Sequence, residues 1–437
     1  MEGQEWRLGG AIVLARHGAR GPTRGALKPF LARNDGDDSI PATASPVVTQ
    51  WREEEIETLS PTGRQQMSSL GRWFHQRYAD SLFGSRGERP TLIWRSSVSA
   101  RTVESGGDFW KGFREVVLPA LSEHVPKEPQ PYSSEAETES RFRAYLQNSA
   151  FAAFVEELRR GPIFAAKAQQ ELSFLTELEV RYCGATAAAA TTETPTGQAM
   201  AMAKKMSDIT YYKELIECEL YSIVGNEENK EMQRRALLEK LSEEDIQKID
   251  ELSHWAWNQR FFSEYQRWGP LIGGKLLQEL VELWESMSST SRPFFGLYSG
   301  HDYTIMSLLA SLGFDCYPRP LLSFGSFLLF EVYRSTSRPG EDVRIKISLN
   351  AMPFADAKGR PSANVQDWSL RPLPPTPFFQ RHAAHSSTLN QQKAETEQQQ
   401  QQQHQTQEEE GEEQEQPWGW PLSAMQRYLV EQYRRIS

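Results

Sequence analysis

Three short segments hold the residues best suited to chemistry on a multiply charged anion. The first is Arg16-His17-Gly18-Ala19-Arg20-Gly21-Pro22. The second is Arg95-Ser96-Ser97, with Arg101 a helical turn further on. The third is Gly300-His301-Asp302. Arginine forks match the oxygens of a phosphoryl group, and so many donors suit phosphate better than a carboxylate. Gly18 and Gly21 permit close backbone approach, and the helices that follow would add positive potential from their N-termini. A neutral His17 could attack phosphorus and form a covalent intermediate. Asp302 could protonate the leaving alkoxide and then act as base for the water that attacks the phosphohistidine. The arginines would neutralise the charge that shifts during transfer. This scheme calls for no metal and no other cofactor.

Such segments must be brought together by a scaffold. The apolar run at 11–15 reads as a buried strand. A helix starts at Ser60-Pro61, with Ser60 as cap and Pro61 at the first helical position. Met67, Leu70, Trp73, Phe74 and Tyr78 then recur at helical spacing. Residues 91–94 form a second strand, followed by a helix that buries Val103, Phe109, Trp110 and Phe113. A helix over 270–287 leads to a third strand at 294–298. Ile305, Leu308, Leu309 and Leu312 mark another helix, and 327–332 and 343–349 are further strands. This alternation predicts an α/β fold, a mostly parallel central sheet flanked by helices. Ligands then bind at the carboxyl ends of the strands, where all three segments lie.

The expected organisation is a discontinuous core, 1–115 and 266–375, interrupted by a mainly helical cap over 116–265. Residues 187–197 read as an exposed loop within the cap. The stretch 24–57, rich in Pro, Asp, Ser and Thr, reads as a long surface loop. Residues 376–416, a low-complexity segment rich in Gln and Glu, are expected to be disordered. A helix within 417–437 closes the chain, with Leu422, Met425, Tyr428 and Leu429 as its apolar face.

Composition narrows the function classes. Of 437 residues, 38% are hydrophobic, enough for a sizeable core. The net charge is -10, much of it in the Gln/Glu tract, and there is no dense Lys/Arg run, so no nucleic-acid partner is expected. Cys183, Cys218 and Cys316 are too few for a disulfide framework and lack the spacing of a zinc site. His75, His124 and His254 read as packing or surface residues. His382 and His385 lie in a stretch read as disordered, so no metal site is assigned there. No run is long enough to span a bilayer. The first residues do not read as a signal peptide. The chain as written suits the cytoplasm, and an N-terminal signal upstream would make it secretory or lysosome-like. Oligomeric state stays open.

Residues 16–22 fit the RHGxRxP signature, and the chain here resembles the histidine acid phosphatases, the second branch of the histidine phosphatase superfamily. His301-Asp302 with Thr304 matches that family's HD pair. Leu59 to Gly63, Leu70-Gly71 and Arg77-Tyr78 look like its first long helix. Arg95-Ser96-Ser97 through Arg101-Thr102 is similar to its RST…RT segment. The stretch 320–333, with Ser326 and Glu331, resembles its late strand. The resemblance spans roughly 9–115 and 266–350. It implies a phosphate monoester substrate, His17 as nucleophile and Asp302 as proton donor. It further implies Arg16, Arg20, Arg95 and His301 as phosphoryl ligands. Arg101 stays open between a site role and a structural one. The disulfides, late cysteine pattern and signal peptide of the secreted members have no counterpart.

Two rival functions can be compared with this one. The mutase-like branch carries RHGxxxxN, whereas Ala19, Arg20 and Pro22 follow here and Thr23 stands at the Asn position. A non-catalytic phosphate binder or scaffold on the same fold would be expected to lose the nucleophile or the HD carboxylate, and both are present. In the 24–57 loop Arg24, Lys28, Arg33 and Arg52 are offset by Asp35, Asp37, Asp38 and Glu53 to Glu55. That balance points away from phytase-like specialisation. An acidic optimum is expected if Asp302 must carry a proton to start the cycle.

Overall fold

The computed structural model describes residues 6–31, 51–83, 90–116, 122–183, 194–222, 241–288, 292–316, 322–337, 343–350, 368, 370–373, 376 and 419–436. Its centre is strand β1 (Trp6–Arg16), whose last eight residues are all buried. Ala11, Val13 and Ala15 pack on one face of the sheet and Ile12 and Leu14 on the other. A strand covered on both faces needs an unbroken apolar run, which is what 11–15 supplies.

Around β1 the order is β2 (Thr91–Ser96), β3 (Phe294–Gly300), β1, β4 (Phe327–Ser335), β5 (Val343–Asn350) and β6 (Arg371–Leu373), with β7 (Trp420–Pro421) also beside β5. The sheet is mixed. β2, β3 and β1 run parallel, and every pairing from β4 onward is antiparallel. In the parallel half Arg16 pairs with Gly300, and Ser96 with Ser299. All three chemistry-bearing segments therefore leave the sheet at one level of one rim.

Helices cover both faces. On one side lie α2 (Pro61–Tyr78) and α3 (Ala100–Val116), which bury Phe74, Phe109 and Phe113 against Phe295. Ser60 caps α2 by accepting from the Gly63 N–H at 3.1 Å, with Pro61 in the first position. Val103 is only half-buried. On the other side lie α11 (Tyr265–Ser288), α12 (Asp302–Ser311) and α13 (Leu422–Ile436). Leu422, Met425, Tyr428 and Leu429 pack into that face, and the Tyr428 hydroxyl donates to the Ser311 carbonyl.

Between α3 and α11 the chain forms helices α4 (Glu135–Phe142), α5 (Ala144–Gln147), α6 (Ser149–Arg160), α7 (Pro162–Gln170), α8 (Leu172–Cys183), α9 (Pro195–Ser222) and α10 (Glu243–Phe261). Phe164, Leu175, Met206, Ile209, Leu215, Ile216, Ile246 and Ile249 build an apolar core of their own here.

Two loop expectations need correction. Residues 24–57 are not loop throughout: α1 (Arg24–Leu31) buries Ala26 and Leu27 in the apolar core of the inserted helices. Pro195 and Gly197 belong to α9, because proline suits a first helical turn. Residues 32–50 and 184–193, His382, His385 and the Gln/Glu tract lie outside the described residues. Among those described, no helix is long and apolar enough to cross a membrane.

Candidate active site

The loop after β1 is clamped on both sides. The Gly18 N–H donates to Ser105 Oγ (3.0 Å) and the Ala19 N–H to Gln66 Oε1 (3.2 Å). A Cβ on Gly18 would stand 2.5 Å from the Gly63 carbonyl, so only glycine lets this loop meet the start of α2. A Cβ on Gly21 would fall 2.0 Å from the Glu55 carbonyl.

These contacts fix His17, which is 2% exposed. Its Nδ1 lies 2.9 Å from the Gly18 carbonyl. A carbonyl only accepts, so Nδ1 carries the proton and Nε2 keeps its lone pair. Burial, reinforced by Arg20, Arg101, Arg16 and His301, holds this imidazole well below its ordinary value of 6.5. The ring is therefore neutral on the acidic side of neutrality. His301 packs edge-on to it at 5.5 Å between centroids, and its Nε2 lies 3.2 Å from Ser97 Oγ, which donates to Glu139 (2.8 Å).

Arg16 spans the site. Its Nη1 donates to the Leu322 carbonyl (2.8 Å) and Glu217 Oε1 (3.1 Å), and its Nη2 pairs with Asp302 Oδ2 at 3.2 Å. Asp302 is the first residue of α12, where its Oδ1 accepts from the Tyr303 N–H. Arg20 donates to the Gly21 carbonyl (2.7 Å) and Glu214 (2.9 Å). Both arginines face the Phe324 ring, at 4.2 and 5.5 Å. The Nε atoms of Arg16, Arg20 and Arg101 are buried and lack a hydrogen-bond partner among the described residues, whereas Arg143 Nε pairs with Glu139 Oε2 at 2.8 Å.

All of this opens into a cleft of about 770 Å³. Arg16, His17, Arg20, Arg101, His301 and Asp302 line its floor and near wall. The inserted helices supply the far wall, including Arg143, Tyr145, Arg159, Tyr211, Lys213 and Trp257. A floor of guanidiniums around a neutral imidazole, with a carboxylate beside it, can hold and transfer a phosphoryl group.

The sequence profile of the histidine phosphatase superfamily (branch 2) matches residues 7–350. The chain belongs to this family. Solved structures of similar fold include the Hafnia alvei phytase, with a TM-score of 0.57 at 12% identity over 99% of this chain and 98% of that one. The Citrobacter braakii phytase scores 0.56 at 13% identity, with 98% of each chain covered. The phytase of Klebsiella sp. ASR1 scores 0.55 at 14% identity, over 85% of this chain and 89% of that one. At such identities the likeness is one of fold. A comparison with curated proteins finds no match. The chain thus has the fold of the phosphomonoester hydrolases of the branch-2 histidine phosphatases.

Of the residues singled out in the sequence, this histidine phosphatase brings Arg16, His17, Arg20, His301 and Asp302 into the cleft. Arg95 is not among them. It sits in the β2 ladder opposite Tyr298, and its guanidinium donates to the carbonyls of Gln130 (2.9 Å) and Pro131 (3.2 Å). It also lies 4.4 Å from the Tyr132 ring centre, next to Glu279. Arg101, in the first turn of α3, reaches the cleft instead. The signal was available: Arg95 precedes the strand end, while Arg101 follows it on a helix N-terminus. The carboxylates that hold the arginines, Glu214 and Glu217, went unseen. They lie three residues apart on α9, within a stretch whose charges resemble any solvated helix face.

Proposed function

We propose that the protein hydrolyses phosphate monoesters through a covalent phosphohistidine on His17. The reading rests on one observation above all: a buried imidazole, with Nδ1 tied to the Gly18 carbonyl and its proton affinity lowered by burial and the nearby arginines, lines a guanidinium-rich cleft. Arg16, Arg20, Arg101 and His301 surround the phosphoryl oxygens. Nε2 forms a bond to phosphorus as the ester P–O bond breaks, and the Asp302 carboxyl gives its proton to the departing alkoxide. Water then passes a proton to Asp302 and attacks phosphorus. The P–N bond breaks, releasing inorganic phosphate and restoring neutral His17. Arg101 takes the role first assigned to Arg95.

Residues 116–265 are proposed as a cap that receives the leaving group. Arg143 and Arg159 on its wall favour leaving groups that themselves carry negative charge. Phytate, the substrate for which the three structural neighbours are named, is therefore a substrate to assay, against the balance of charge in the 24–57 loop alone.

The test is release of phosphate from p-nitrophenyl phosphate across pH 4–8 with EDTA present. His17→Ala should lose turnover by about four orders of magnitude or more. Asp302→Ala should lose most with poor leaving groups. Full activity in His17→Ala would sink the proposal. A folded wild type that binds vanadate without turnover would favour a phosphate-binding scaffold instead.

A further inference from the structure

Glu57 is the one described non-glycine residue with a positive φ, +59°. Side chains with a Cβ avoid this region, and such strain persists where the surroundings enforce it, often at functional sites. Here the enforcement is visible. The Glu57 N–H donates to the Pro22 carbonyl (3.0 Å), and the Gly21 N–H donates to the Thr58 carbonyl (3.1 Å), so the strained residue is stapled to the phosphate loop. Its side chain lines the cleft. Oε1 accepts from the Arg24 N–H and Oε2 from Arg101 Nη1, each at 3.3 Å.

The other cleft arginines are held differently. Arg16 and Arg20 are paired with Glu217 and Glu214, whose side chains are 0% and 18% exposed on α9. Arg101 is paired with a carboxylate 41% exposed at the rim. Burial and the nearby Arg20 pull the Arg101 guanidinium below its ordinary value, and Glu57 opposes that pull. A phosphoryl group that reaches Arg101 meets a carboxylate already there.

We propose that Glu57 is a built-in competitor of the phosphoryl group: its carboxylate occupies Arg101 when no phosphate is bound, weakens phosphate affinity, and so speeds loss of the product. This rests on the phosphatase reading of the cleft and adds a residue that tunes it. A charge at this distance in a partly solvated site changes anion affinity by about three- to tenfold.

The experiment is calorimetric titration of inorganic phosphate into wild type, Glu57→Gln and Glu57→Gly, each also in an Arg101→Met background. Glycine fits the positive φ, so Glu57→Gly should keep its Tm and guard against misfolding. Both single variants should bind phosphate about three- to tenfold more tightly and show stronger product inhibition. Without Arg101 the gain should shrink below about twofold. Unchanged or weaker binding in both Glu57 variants overturns the proposal alone, as does a gain that persists in Arg101→Met. A wild type that binds no phosphate overturns this proposal together with the phosphatase reading.

Discussion

His17 and His301 are buried imidazoles whose proton affinity is lowered well below the ordinary 6.5, by burial first and by the neighbouring guanidiniums next. For a histidine nucleophile this is useful, because the ring stays neutral where an acid phosphatase would work. It also has a consequence for stability. Below about pH 6.5 the unfolded chain takes up a proton at each ring while the folded chain does not, so stability falls as pH falls. The slope should approach about 1.4 kcal/mol per pH unit for each histidine. Urea unfolding of wild type and His301→Gln between pH 7.5 and 5.5 should show the variant losing less stability, by about one proton's worth of slope. Equal slopes would mean that His301 is protonated in the folded state. At this scale the sequence was informative where the chemistry is local: His17, Arg16 and Arg20 share one turn, and Asp302 adjoins His301. It misled at Arg95, because residue type alone does not say which side of the strand end an arginine occupies.

The element that ties the site together is α9. Thr210, Lys213, Glu214 and Glu217 recur at intervals of three and four, so they form one stripe on that helix, and all four line the cleft. Glu217 is fully buried and accepts from Arg16, Lys213 (2.9 Å), Ser323 (2.6 Å) and the Phe324 N–H (2.9 Å). Burial opposes its charge, but Arg16, Lys213 and Ser323 outweigh that and hold it at about 2. A buried ion pair adds little over an apolar substitute, yet removing one partner strands the other. Glu217→Gln should therefore destabilise the protein by about 3–5 kcal/mol, with Lys213 losing its buried ion pair and Arg16 keeping only the one to Asp302. Adding Lys213→Met should recover roughly half of that loss, since one stranded cation is gone. Denaturant titration of the two variants checks it, and a double variant no more stable than the single would refute the network. Periodicity did reveal the helices, because their apolar faces are long. It did not reveal this stripe, because a buried charge on a helix looks like a solvated one until its distant partners, here Arg16 at 201 and Ser323 at 106 residues in sequence, are in place.

For the molecule as a whole, the parallel half of the sheet and the inserted helices do different work. β1, β3 and the ends of their loops fix the atoms proposed to react, and the level register of Arg16 with Gly300 is what makes that rim a site. That much follows from strand–helix alternation and could be read in the sequence. The far wall could not, since Arg143 comes from the junction of α4 and α5, Arg159 from α6 and Lys213 from α9, and no local pattern encodes how these pack together. If that wall receives the leaving group, its charges should matter in proportion to the charge of the substrate's remainder. For p-nitrophenyl phosphate the departing group is an aryl oxide with little to offer Arg143 or Arg159. For phytate it carries several phosphates. Arg159→Ala and Arg143→Ala should each lower kcat/KM for phytate by about tenfold and for p-nitrophenyl phosphate by no more than about twofold. The ratio is the informative quantity, because a general loss of folding or of nucleophilicity would lower both substrates alike. Equal losses would make these arginines structural ties of the inserted helices. A loss confined to phytate would place specificity in the helices and chemistry in the sheet.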